Sequence, residues 1–142
     1  MTISIREQIL QSLASTVATL PGVGGRVYRS RVAAFARDEA PALVIEAGQA
    51  IPTIQALCKI DWSMDLIVSS YARGTIPDTA ADATLTAAHA LLMADRTVGG
   101  LANNLTPGTV TTDLERADAN SCWMTAVYTV TFRTSIHDLT TG

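Results

Sequence analysis

The stretch whose reading decides the fold is Cys122-Trp123-Met124-Thr125-Ala126-Val127-Tyr128-Thr129-Val130-Thr131-Phe132-Arg133-Thr134. Its even positions from 122 to 132 are Cys, Met, Ala, Tyr, Val and Phe, and its odd positions from Thr125 are mostly Thr. Strict alternation, β-branched and aromatic content and the lack of Gly and Pro together predict a β-strand with one buried face. The pattern carries on weakly through Ile136, which gives a strand of about 15 residues and about 50 Å. A globule of 142 residues has a radius of gyration of roughly 14 Å, so its diameter is under about 40 Å. Either the strand bends at a bulge or it extends beyond its own domain. The alternation assigns Met124, Tyr128, Val130 and Phe132 to the core, and Thr125, Thr129, Thr131 and Arg133 to the outside.

A second run of the same kind precedes it. Cys58, Ile60, Trp62, Met64, Leu66 and Val68 alternate with Lys59, Asp61, Ser63, Asp65, Ile67 and Ser69. One face is apolar and the other carries charge, the pattern of an antiparallel sheet covered on one side. Before it, Gly48 to Thr53 reads as a turn with the strand starting near Ile54, and Pro41 introduces Ala42-Leu43-Val44-Ile45-Glu46-Ala47, a strand apolar on both faces and so central. Arg26-Val27-Tyr28-Arg29 reads as a short first strand. Thr109–Glu115 reads as a fourth, with Val110, Thr112 and Leu114 on one side, after a loop from Leu101 to Gly108 and before a hairpin turn at Ala117-Asp118-Ala119-Asn120.

Two helices frame these strands. Ser4-Ile5-Arg6-Glu7 is a capping box, followed by Ile5, Ile9, Leu13, Val17 and Leu20 at helical spacing, and Pro21-Gly22 ends a helix over residues 4–20. Pro77-Asp78 opens the second, with Asp78 as the expected N-cap and Ala81, Leu85, Ala88 and Leu92 as a narrow apolar stripe flanked by Leu91. Gly99-Gly100 ends that helical region. The predicted order is α-β-β-β-α-β-β in a single domain spanning residues 1–142. The connections between strands 1, 2 and 3 and between strands 4 and 5 read as hairpins, hence antiparallel. Both helices then pack on one face of a mainly antiparallel sheet, an α+β fold.

Composition excludes several function classes. A net charge of −3 lacks the basic surplus of a general nucleic-acid binder. The 16% charged share lies below the usual 25% or so, which leaves uncharged surface suited to a subunit contact. Lys59 is the lone lysine among ten basic residues, and arginine is the cation that interfaces favour. No apolar run reaches the 18 residues of a membrane span, and the N-terminus carries no signal-peptide pattern, so a soluble, cytoplasmic chain is expected. Cys58 and Cys122 both fall on the apolar side of a strand and are expected to be buried thiols. A disulfide between them requires that the two strands be neighbours.

Catalytic chemistry finds no constellation. Gly22-Val23-Gly24-Gly25 follows a helix and precedes a strand, the reverse of a dinucleotide loop. His89 and His137 lack a second ligand at metal spacing. Asp61 and Asp65 lie roughly 13 Å apart on an extended strand, too far for the paired carboxylates of about 5–5.5 Å that a retaining glycosidase uses. Asp113, Glu115 and Asp118 cluster near the last hairpin and read as a solvated acidic turn, with a hard-cation site as the alternative. The basic connector from Arg26 to Arg37 is interrupted by Asp38 and Glu39.

The ordered set of elements resembles the tail terminator proteins of long-tailed phages, the minor tail protein U type. The marks are the N-terminal helix with its Gly-rich turn, Arg31-Val32-Ala33-Ala34-Phe35, Pro41-Ala42-Leu43-Val44-Ile45, Trp62-Ser63-Met64-Asp65-Leu66-Ile67-Val68, Ile76-Pro77-Asp78 and Tyr128-Thr129-Val130-Thr131-Phe132. The resemblance implies a non-enzymatic α+β subunit that forms a ring, expected to be hexameric, on the head-proximal end of the tail tube. There it would stop tube polymerisation and offer the head-joining surface. The implied partners are copies of itself, the tail tube protein and a head-completion or connector protein, with no nucleic-acid sequence recognition and no membrane. The implied location is the virion tail, assembled in the host cytoplasm. No cofactor is implied. Some members assemble in a divalent-cation-dependent way, but no metal ligand is carried over to a position here. By position, Arg31, Phe35, Arg37, Asp38 and Glu39 correspond to the loop that such rings use for subunit or tube contact. An aromatic with an Arg and acid rim is also how interfaces are commonly built. The alternatives are another neck or tube subunit, or a small ligand-binding module.

Overall fold

The last strand is met by its twin along its whole length. In the computed structural model, which describes residues 2–29, 39–115 and 120–142 with the side chain of Glu115 excepted, β3 (Lys59–Arg73) pairs antiparallel with β5 (Ser121–Ser135). The register runs without a break from Lys59↔Ser135 to Arg73↔Ser121. The strand therefore does not bulge against its neighbour; it runs through the sheet and carries the pairing to both ends. Met124, Tyr128, Val130 and Phe132 are buried as the alternation requires. Thr125, Thr129 and Thr131 are half-buried between neighbouring strands and Arg133 is exposed.

The remaining elements are α1 (Ile5–Val17), β1 (Val27–Arg29), β2 (Ala42–Gln55), α2 (Pro77–Ala94) and β4 (Asn104–Glu115). The order is α-β-β-β-α-β-β and the fold is α+β, with the five strands laid side by side as β1-β2-β3-β5-β4. Ser4 caps α1 by accepting the Glu7 N–H on its hydroxyl at 3.1 Å. Ile5, Ile9, Leu13 and Val17 of α1 and Ala81, Leu85, Ala88 and Leu92 of α2 pack with Met64, Leu66 and Val68 of β3 and Tyr128, Val130 and Phe132 of β5 in one cluster. Both helices thus cover the even-numbered face of β3 and β5.

Several expectations are corrected. The residues from Gly48 to Thr53 are strand, not turn, and β2 continues to Gln55. The hairpin turn falls at Ala56-Leu57-Cys58, where Leu57 and Cys58 take φ of 64° and 58°. Two successive left-handed residues match the twist of a tight hairpin, but neither is the Gly or Asn that announces one. Gly48 instead sits in a bulge between Ala47 and Ala50, where a Cβ would lie 3.0 Å from the Cβ of Asp65. Pro52 is tolerated because β1 pairs only with residues 43–45, leaving this part of β2 an edge.

Second, β1 and β2 are parallel rather than antiparallel. Residues 30–41 join them, a crossover length and not a hairpin length. Third, β4 begins at Asn104, so part of the expected loop is strand; Pro107-Gly108 is a bulge rather than a loop end. Fourth, α2 has Ile76 as its N-cap with no side-chain cap, Pro77 in its first turn and Asp78 beside it. Asp78 meets the positive end of the helix dipole instead of capping it. The first helix also ends at Val17 and passes through a separate turn at Pro21–Val23 before the glycines. The expected hairpin turn at Ala117-Asp118-Ala119 lies outside the described residues; Asn120 takes the left-handed φ of 74° that a turn end requires.

The cysteines separate. Cys122 is buried, and Cys58 is exposed in the hairpin turn instead of buried on a strand. Their strands are neighbours, yet Cys122 lies opposite Ala72 at one end while Cys58 adjoins the Lys59↔Ser135 pair at the other, so both thiols are free.

Candidate functional site

Of the connector residues, Arg31, Phe35, Arg37 and Asp38 lie outside the described residues. Glu39 is half-buried, and its Oε2 accepts a hydrogen bond from the Tyr28 hydroxyl at 3.3 Å, tying the end of the connector to β1. Arg29, the last residue of β1, reaches back to α1 in a two-pronged pair with Glu7, at 3.2 and 3.0 Å. That guanidinium holds the Glu7 carboxyl below its ordinary range. The connector is therefore moored at both ends to elements of the core.

Two of the isolated polar residues, His89 and Asp61, have structural partners. His89 Nδ1 lies 2.7 Å from the Tyr128 hydroxyl with the two rings stacked, and burial pushes the Tyr128 hydroxyl up. Asp61 receives two bonds from the Arg133 guanidinium, at 2.6 and 3.0 Å. Those bonds hold its carboxyl down, the reverse of a general acid. Asp65 is exposed four residues further along β3, and His137 is exposed after β5. Of the acidic cluster, Asp113 is exposed on β4, while Asp118 and the side chain of Glu115 lie outside the described residues. Among the described residues no group of His, Cys, Asp or Glu converges to hold a metal ion. No described helix is long and apolar enough to cross a membrane.

What the chain does present is apolar surface at the ends and edges of its sheet. The β2–β3 hairpin carries Ile51, Ile54 and Leu57 at 55%, 71% and 90% exposure. Leu57 at the tip is almost wholly in water. Under the hairpin lies a pocket of about 320 Å³ lined by Ala50, Trp62, Phe132, Leu139, Ser4 and Arg6. Its floor is held in place: Trp62 stacks with Phe132 at 6.3 Å and donates its indole N–H to Thr134 Oγ1 at 3.0 Å. On the outer strand β4, Val110 and Leu114 are exposed, as is Ile76 at the start of α2. A second pocket of about 220 Å³ opens between α2 and the β4 bulge, with Leu85, Pro107, Val110 and Tyr128 in its wall.

Exposed apolar side chains concentrated on a hairpin tip and an edge strand are the marks of surfaces that meet other proteins. Sequence reasoning missed the hairpin because Gly48 and Pro52 read as turn punctuation. The available signal was Ile51, Ile54 and Leu57, three large apolar residues too many for a solvated turn. The sheet's other face is also divided. Its middle carries exposed Ser63 and Asp65, whereas at the far end the Tyr71 ring is buried against Trp123 at 4.8 Å and accepts a hydrogen bond from Arg73 at 2.8 Å.

No family model matches the chain, and no curated protein matches it. Among solved structures the chain is similar in fold to a chain of the structure described as "Virion of native gene transfer agent (GTA) particle". The likeness covers 92% of each chain, with a TM-score of 0.51 at 13% sequence identity.

Proposed function

We propose that the protein is a structural component of a phage-like virion. In this reading it forms a ring, six copies in number, on the head-proximal end of the tail tube, where it ends tube polymerisation and presents the surface to which the head joins. The observation that carries the virion reading is the fold likeness, over 92% of both chains, to a chain of a gene transfer agent particle. The terminator role rests on the ordered sequence resemblance. The apolar hairpin tip and the open β4 edge support assembly, because a chain that stayed alone would leave both in water. The proposed role is structural: Asp61 is paired with Arg133, and His89 stands against the Tyr128 hydroxyl.

The test is to add the purified protein to tail tubes of the same particle and image them by negative stain, with and without Mg²⁺. The proposal expects a cap at one end of each tube and no further growth there. Protein incorporated along the tube would make it a tube subunit, and binding to isolated heads alone would make it a neck protein. For the connector, Phe35→Ala with Arg37→Ala should weaken capping while leaving the melting temperature nearly unchanged. A variant that unfolds instead would place Phe35 in the core and overturn the contact role.

A further inference from the structure

The two outer edges of the sheet carry opposite charge on the same row: Asp113 on β4, and Arg26 immediately before β1. Starting at Asp113 on β4, the register passes through Trp123, Tyr71 and Ala42. It ends at Arg26, one residue before the Val27↔Leu43 pair, whose carbonyl accepts the Leu43 N–H at 3.0 Å. Asp113 is exposed and has no hydrogen-bond or ion-pair partner among the described residues. The Arg26 guanidinium is steadied by the carbonyls of Pro41 and Gly22, at 2.9 and 3.3 Å, and faces no carboxylate among the described residues. Beyond β1 and beyond β4 no described strand pairs, so each presents a row of backbone donors and acceptors.

Strand direction is equally matched. β1 runs parallel to β2, and each further step across the sheet, to β3, β5 and β4, reverses direction. β4 therefore runs opposite to β1. We infer that copies of this chain assemble by continuing the sheet from β4 of one copy onto β1 of the next, with Asp113 facing Arg26 across the contact. The inference rests on the ring reading and names the surface that closes the ring. A neighbour in the same orientation places the two strands antiparallel, the pairing that lets residues stand directly opposite. Two different surfaces meet, so the contact is heterologous, the kind that generates rings.

Charge selects this contact over its alternatives. Opposite charges across a strand pair stabilise it and like charges oppose it. Joining β4 to β4 would bring acidic edges together; joining β1 to β1 would oppose Arg26 and Arg29 to the same residues. Neither edge carries lysine, the residue with which edges are commonly blunted; the chain's one lysine, Lys59, lies on β3.

Cysteine pairs test the contact in the full chain carrying Cys58→Ser. Arg26→Cys with Asp113→Cys, oxidised and run without reductant, should give a ladder of covalent multimers, while each single substitution stays monomeric on the gel. Because Arg26 also anchors Pro41 and Gly22, a second pair leaves those bonds intact and gives up only the surface Arg29–Glu7 pair. Arg29→Cys with Val110→Cys lies three residues along the same two edges and should give the same ladder. Reversing the charge with Asp113→Arg should raise the concentration for half-assembly about tenfold, the size expected when an attractive pair becomes a repulsive one. A dimer formed by Asp113→Cys alone would overturn the inference in favour of β4 self-pairing. Multimers that form without cross-linking in either pair would overturn it while leaving the ring. A protein monomeric throughout would overturn both.

Discussion

Gly108→Ala is the substitution whose cost follows most directly from the structure. Gly108 sits in the β4 bulge, where a Cβ would lie 2.5 Å from the carbonyl oxygen of Val127. Ordinary contact begins at 3.4 Å, so the methyl is about 0.9 Å too close. The obstacle is backbone rather than a flexible side chain, and Val127 is held in register with Ile67 of β3. β4 must therefore move away from β5, losing pairing beyond the bulge. Overpacking of this kind costs about 1–3 kcal/mol, which for a domain of this length lowers the melting temperature by roughly 4–10 °C. Urea titration followed by far-UV circular dichroism reads it as a lower midpoint with an unchanged slope. The displaced edge would also assemble poorly. A variant within about 0.5 kcal/mol of the parent, the ordinary surface range, would refute the close approach at the bulge.

Three further outcomes follow from single contacts. Thr134→Val deprives the Trp62 indole N–H of its acceptor and should cost about 1–2 kcal/mol in the same titration; a neutral result would mean that water replaces the bond. Arg133 holds Asp61 below its ordinary pKa, and bonds from Thr97 and Gly99 do so for Asp95. Groups depressed by folding contribute stability that is present above the unfolded value, about 3.9 for Asp, and lost as pH falls through the folded one. Asp61→Asn should therefore flatten the decline of melting temperature below about pH 4, and an unchanged acid limb would show that the pair contributes nothing. Thiol titration of the native protein should label Cys58 quickly. Cys122 is buried, with its thiol pushed up chiefly by that burial, and should react only on unfolding; two equally fast thiols would contradict the β5 register.

Much of the fold was legible because two strands write their burial in strict alternation. Nothing in Cys122–Thr134 or Ile60–Val68 interrupts the period, so the buried and outward faces followed; the pairing of these two strands with each other did not. The Ser4 box and the Ala81, Leu85, Ala88, Leu92 stripe were legible for the same reason, one physical requirement per residue. What failed was punctuation. Gly48, Pro52, Pro107 and Gly108 were read as chain reversals, but in edge strands the same residues make bulges and unpaired positions. The real reversal uses Leu57 and Cys58 in left-handed conformations that sequence alone does not announce. Strand direction at β1 was misread because residues 30–41 carry no periodicity to separate a long hairpin from a crossover. The candidate surfaces followed from those errors: an apolar arm was taken for a turn, and the charge row from Arg26 to Asp113 exists only once the register is known.

The most direct test of the proposed role is a cryo-EM map of phage-like particles assembled with this protein. The account predicts a ring of six copies at the junction of head and tail tube, each density fitted by two helices on one face of the five-stranded sheet. Absence of that fold from the junction, or its repetition along the tube, would contradict it.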